Sequence, residues 1–133
     1  MKLIGLDVGD KRIGVAASEL PGVVVPIGVV QRGPNELEAL CRAIAEREID
    51  RVIVGLPTGR QGEVGPQAQR VLEFVERLRA VVWVPVETWD ESLSTLEAEE
   101  ALIAANVSRA RRHRLIDAEA AAVILRSYVE ANP

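Results

Sequence analysis

Leu3-Ile4-Gly5-Leu6-Asp7-Val8-Gly9-Asp10-Lys11-Arg12-Ile13-Gly14-Val15-Ala16-Ala17 is the stretch on which the fold turns. Two apolar runs flank a Gly-Asp turn signal, which reads as a β-hairpin. Val23-Val24-Val25 with Pro26, continuing from Ile27 to Val30, supplies a third strand. Proline cannot donate to a ladder, so this strand belongs at an edge or carries a bulge. Three antiparallel strands therefore open the chain.

The apolar period then changes. From Asn35, a candidate N-cap, Leu37, Leu40, Cys41, Ile44 and Ala45 recur at helical spacing. Arg51-Val-Ile-Val-Gly55 reads as a buried strand, and Thr58 to Gly65 as a glycine-punctuated loop. Pro66 opens a second helix with Ala68, Val71, Leu72, Val75 and Leu78 facing inward. Val81 to Val86 is expected to be the fifth strand. Ser94 and Glu97 have capping-box spacing before a helix that buries Ala98, Ala101 and Leu102. Arg109 to Arg114 read as a basic interruption, and Ile116 to Val129 as a last, alanine-rich helix. The order β-β-β-α-β-α-β-α-α predicts an α/β fold: five strands, three antiparallel and two parallel, flanked by helices.

Composition excludes several function classes. The 133 residues are 48% apolar and 27% charged, which suits one globular domain over residues 1–133. Cys41 and His113 stand alone, too few for a disulfide framework or a Cys/His zinc site. No run approaches a membrane span, and Asp7 interrupts the apolar start expected of a secretory leader, so the expected location is the cytoplasm. The net charge of −4 argues against a uniformly basic nucleic-acid binder.

Asp7 demands an explanation, because a carboxylate in an apolar strand is costly to bury unless paired or bound to metal. Asp90-Glu91 follows the expected fifth strand, and Asp117 falls in the expected first turn of the last helix. Carboxylates at the ends of separate elements can converge on Mg²⁺ or Mn²⁺, and a pair of such ions serves phosphoryl chemistry. The plain alternative is a turn cap at Asp7, a helix cap at Asp117 and a solvated Glu91.

Five blocks carry a family resemblance: Leu6-Asp-Val-Gly-Asp-Lys-Arg-Ile-Gly-Val-Ala16, Val54-Gly-Leu-Pro57, Gly65-Pro-Gln-Ala-Gln-Arg70, Trp89-Asp-Glu-Ser-Leu-Ser-Thr95 with Glu97-Ala-Glu99, and Ile116-Asp-Ala-Glu-Ala-Ala-Ala-Val-Ile-Leu125. In this order they closely resemble the YqgF/RuvX family of bacterial nucleases. The resemblance implies an RNase H-like, resolvase-type fold. It also implies metal-dependent hydrolysis of phosphodiester bonds, at the 5′ end of pre-16S ribosomal RNA or, on an earlier view of the family, in Holliday junctions. Carried over by position, Asp7, Glu91 and Asp117 are the catalytic, metal-binding carboxylates, and Asp90 is a weaker fourth. Ser92 departs from the family, which usually has arginine there; an arginine could contact phosphate or hold Glu91.

Basic groups flank this acidic centre. Lys11 and Arg12 follow Asp7, Arg109, Arg111, Arg112 and Arg114 lead into Asp117, and Arg60 lies on the glycine loop. They are candidate contacts to the backbone of structured or single-stranded RNA, or of branched DNA. His113 reads as a surface residue and Trp89 as packing. Two rivals stand beside the nuclease. Asp-Val-Gly before a hairpin also resembles the first phosphate loop of actin-like kinases, which need a second lobe that 133 residues do not supply. Ser92 fits a catalytically silent RNA-binding subunit. Neither the oligomeric state, monomer or homodimer, nor endonuclease against exonuclease follows from spacing.

Overall fold

The computed structural model describes residues 1–57, 64–90 and 109–133, residues 109–115 by their backbone alone. Its strands are β1 (Leu3–Val8), β2 (Arg12–Leu20), β3 (Val23–Gln31), β4 (Arg51–Leu56) and β5 (Val86–Asp90). Its described helices are α1 (Glu36–Glu46), α2 (Pro66–Arg79) and α3 (Arg109–Ala131). The sheet runs β3-β2-β1-β4-β5, which puts the first strand at its centre. β1–β2 and β2–β3 pair antiparallel, while β1–β4 and β4–β5 pair parallel. This is the mixed α/β sheet expected from the sequence, with β3 at the edge and a register shift beside Pro26.

Strand alternation divides the core into two layers. Ile4, Leu6 and Val8 face one side, where they pack with Leu40 and Ile44 of α1 and Val71, Phe74, Val75 and Leu78 of α2. Leu3 and Ile53 face the other, against Ala121, Ala122, Ile124, Leu125 and Tyr128 of α3. Each large side chain so buried contributes about 1.5–3 kcal/mol relative to exposure. The second layer is thinner, because alanines and glycines meet there.

Three expectations are corrected. Val81–Pro85 is not strand; the fifth strand begins at Val86, where it can pair with Val52. The β-branched and aromatic residues at 81–84 are compatible with a strand, but only the segment from Val86 finds a partner, so pairing overrides propensity. The stretch Arg109–Arg114 is not an interruption but the start of α3. It carries no apolar period, so its helicity is invisible to pattern, although arginine is a good helix former. Asp117 is consequently the ninth residue of α3, too far in to cap its amides.

Smaller differences follow from packing. Asn35 holds the N-cap position of α1 without a side-chain hydrogen bond. Ala45 is exposed, and Cys41 and Leu72 are only partly covered, whereas Phe74 and Glu36 are buried. Pro66 does open α2. The helix expected from Ser94 to Leu102 lies outside the described residues. Among the described residues no helix is long and apolar enough to cross a membrane.

Candidate active site

Asp7 lies near the C-terminal end of β1 and pairs with Gly14 of β2. It is on the α3 face, since its neighbours Leu6 and Val8 belong to the opposite core layer. Gly14 is what lets α3 reach it. A Cβ built on Gly14 would lie 1.7 Å from the Asp117 carbonyl oxygen and 2.3 Å from its carbon. The helix backbone therefore rests directly on the sheet at Asp117, beside Asp7.

This approach has an electrostatic consequence. Burial, and then the charge of Asp117, push the Asp7 carboxyl from 3.8 up to about 6. Asp117 has a counter-ion: Arg12 Nε donates to its Oδ2 at 2.6 Å, with both side chains half-buried. Arg12 sits at the start of β2, and its carbonyl accepts the Gly9 amide at 2.9 Å to close the turn after Asp7. The site thus joins two carboxylates and one guanidinium from three elements.

Of the remaining candidates, some face elsewhere and others lie outside the described residues. Asp90 aligns with Leu56, whose side chain belongs to the α1/α2 layer, so Asp90 faces away from Asp7 and is exposed. Glu91, Ser92 and Arg60 lie outside the described residues. Lys11 is exposed in the β1–β2 turn. Arg109, Arg111, Arg112 and Arg114 belong to the backbone of α3 that leads to Asp117, and their side chains, like that of His113, lie outside the description. Trp89 is packing, as expected: its indole donates to Ser127 Oγ at 2.9 Å and meets Tyr128 edge to face at 5.3 Å. Among the described residues no group of three His, Cys, Asp or Glu side chains gathers for a metal; the described part of the carboxylate set is the pair Asp7 and Asp117.

Sequence reading missed a neighbouring cluster. Glu36, only 5% exposed, accepts hydrogen bonds from Arg32 at 2.6 Å and Arg77 at 2.8 Å. Burial works to raise its pKa, but the bonds from Arg32, Arg77 and the Gly33 amide prevail and lower it. The Arg32–Glu36 spacing of four was the one available signal, and a first-turn acid is ordinarily read as a solvated dipole partner.

A family model described as RuvX, Holliday junction resolvase, matches residues 1–131. The chain belongs to the RuvX family. Relatives named "Putative pre-16S rRNA nuclease" include one from Desulforamulus reducens, 43% identical and covering 98% of either chain. Another, from Clostridioides difficile, is 40% identical over 97% of this chain and 94% of its own. The fold of this RuvX-family chain is similar to Thermus thermophilus RuvC in complex with a Holliday junction substrate (TM-score 0.59, 20% identity, 99% and 97% of the two chains). It is equally similar to a fowlpox virus resolvase solved with junction DNA (TM-score 0.59, 14% identity, 98% of each chain). The mixed sheet with helices on both faces is thus the RNase H-like fold of the RuvC-like resolvases.

Proposed function

We propose that this chain is a cytoplasmic, metal-dependent nuclease that hydrolyses phosphodiester bonds at the 5′ end of pre-16S ribosomal RNA. One observation carries the reading: the half-buried Asp7, at the end of the central strand, lies beside the point where α3 rests on the sheet at Asp117, and burial together with the charge of Asp117 disfavours its ionised form. A divalent cation is the partner that relieves such a pair. The RuvX-family match and the names of the full-length relatives supply the substrate class.

The residues fit that cation. Carboxylate oxygens suit Mg²⁺ or Mn²⁺, and the set proposed to hold a pair of ions is Asp7, Asp117 and Glu91. Asp90 is the weaker candidate because it faces the other side of the sheet. Bound there, such ions lower the pKa of water and stabilise charge on the leaving 3′ oxygen. The chain's own groups bind and orient. Asp7 is held by a strand paired on both sides, and Asp117 by a helix seated on Gly14. Among the described residues Arg12 bonds Asp117 through Nε alone, so its Nη groups are proposed to meet a backbone phosphate. Lys11, Arg60, Arg109, Arg111, Arg112 and Arg114 are the further proposed grips on the strand.

The test is cleavage of 5′-extended 16S precursor RNA, unstructured RNA and a four-way DNA junction by wild type and Asp7→Asn, with Mg²⁺, Mn²⁺ or EDTA. RNA cleavage that needs both the metal and Asp7 is expected. Activity that survives EDTA or the substitution overturns the reading. Junction-only cleavage makes the chain a resolvase, and metal-independent RNA binding without cleavage makes it a silent subunit.

A further inference from the structure

We propose that the cavity between the β1–β2 turn and α2 is a second subsite for the substrate strand, taking a backbone phosphate of the RNA on Arg70 and Arg77. The proposal deepens the nuclease reading and rests on it. The cavity measures about 240 Å³ and is lined by Gly9, Asp10, Gln67, Arg70, Phe74 and Arg77 among others. It falls short of the roughly 300–1,000 Å³ of sites for drug-sized ligands, and five of its ten lining residues are charged. That suits a phosphate group better than a base or an apolar ligand.

Its arginines are pre-set. The guanidiniums of Arg32 and Arg77 lie over the Phe74 ring at 5.3 and 5.5 Å. Both are held from behind by the buried Glu36, which does not line the cavity. Fixing these long side chains in advance removes much of the entropy cost of gripping an anion. Arg70 is more than half exposed, and its one described ion pair, to the largely exposed Asp10 at 3.4 Å, is a solvent-screened surface pair of the kind that contributes little. A phosphate can replace that partner. Glu36 offsets part of the charge of Arg32 and Arg77, so the cation a phosphate can claim most readily is Arg70, whose described partner is the exposed Asp10.

Position points to the same strand that Asp7 would cut. Val8, which lines the cavity, follows Asp7 directly and faces the other side of the sheet. Arg32 Nη1 donates to the Gly9 carbonyl at 2.7 Å, so the cavity wall is tied to the turn that leaves Asp7. A strand seated at Asp7 has only to cross the end of β1 to reach it, at the C-terminal edge where α/β sheets bind ligands. The Gly65-Pro-Gln-Ala-Gln-Arg70 block, without a chemical role until now, finds one here. Pro66 starts α2 so that Gln67 and Arg70, three apart, share the face that lines the cavity.

The experiment titrates single-stranded RNA against the full chain in EDTA over about 50–200 mM salt. Steady-state cleavage with Mn²⁺ follows. Arg70→Ala is expected to weaken binding about three- to ten-fold at low salt and to flatten the slope of log affinity against log salt by about 0.7, one single-strand phosphate contact. It raises KM and leaves kcat near wild type. Arg77→Ala should flatten the slope likewise, while Arg42→Ala, on the exposed side of α1, leaves it unchanged. Arg77 also braces Glu36, so a melting curve accompanies that variant; Arg70 has no such duty and decides the matter. An unchanged slope in Arg70→Ala overturns the subsite and leaves the nuclease standing. Arg70-dependent binding without cleavage overturns the nuclease and keeps the cavity as an RNA site. A wild type that binds no RNA overturns both.

Discussion

Arg12 ties Asp117 to the turn that follows Asp7, and so sets how much negative charge the site presents. Its ion pair is half-buried and short, 2.6 Å, and neutralises one of the two described carboxylates. Arg12→Ala should therefore tighten Mn²⁺ binding while weakening the grip on RNA. A half-exposed pair is worth about 1 kcal/mol, which corresponds to about five-fold in Kd. Isothermal titration with Mn²⁺ and an RNA titration read the two effects separately; a looser Mn²⁺ Kd in the variant would mean that Arg12 braces the site instead of shielding it. Asp7 was legible as a functional candidate because an aspartate in an apolar strand has few harmless uses. The partner of Arg12 was not, since Asp117 lies 105 residues away and no local pattern announces it. Glu36 was hidden for a related reason. Its burial is created by Arg32 and Arg77 folding over Phe74, a tertiary event that an acid in a helix's first turn does not advertise.

At the level of elements, the site depends on how closely α3 lies on the sheet. Gly14 allows it, and a methyl there meets helix backbone, which cannot rotate away. Gly14→Ala should lift α3 at Asp117 and cost about 3 kcal/mol or more, at the top of the usual overpacking range. Gly55→Ala meets only side-chain atoms of Ile124, Cδ1 at 2.4 Å and Cγ1 at 3.0 Å, which give way more readily than helix backbone. Its cost should be smaller, about 1–2 kcal/mol. Urea unfolding ranks the two, and a Gly14→Ala protein as stable as Gly55→Ala would refute this account of the contact. The hairpin, the edge strand and the proline-started helix were readable because turn chemistry and alternation are local. The fifth strand slid by several residues because its limits are set by pairing with β4, and the start of α3 was missed because a run of arginines shows no apolar period.

For the whole molecule, the buried carboxyl of Asp7, beside Asp117, is an instability held in place by the rest of the fold. The native Asp7 carboxyl holds its proton more tightly than the unfolded one, with a pKa of about 6 against 3.8. Native protein thus binds more protons across that window, and stability falls as pH rises through it. The difference amounts to at most about 3 kcal/mol by pH 7. Glu36, whose pKa is lowered, contributes in the opposite sense: its stabilisation is present above its ordinary value of 4.5 and is lost on acidification below it. In EDTA at pH 7, Asp7→Asn should therefore melt above wild type. With Mn²⁺ at about 1,000 times its Kd the order should reverse, because an ion bound to the native state alone then adds about 4.1 kcal/mol, and the variant has lost a ligand. The Mn²⁺ shift of wild type should shrink between pH 7 and pH 5, where the ion must displace the Asp7 proton. Melting curves at the two pH values, with EDTA and with Mn²⁺, test this pattern. If Asp7→Asn were destabilised in EDTA at pH 7, Asp7 would be a structural residue, and the net charge of −4 would hold no strained pair awaiting a cation.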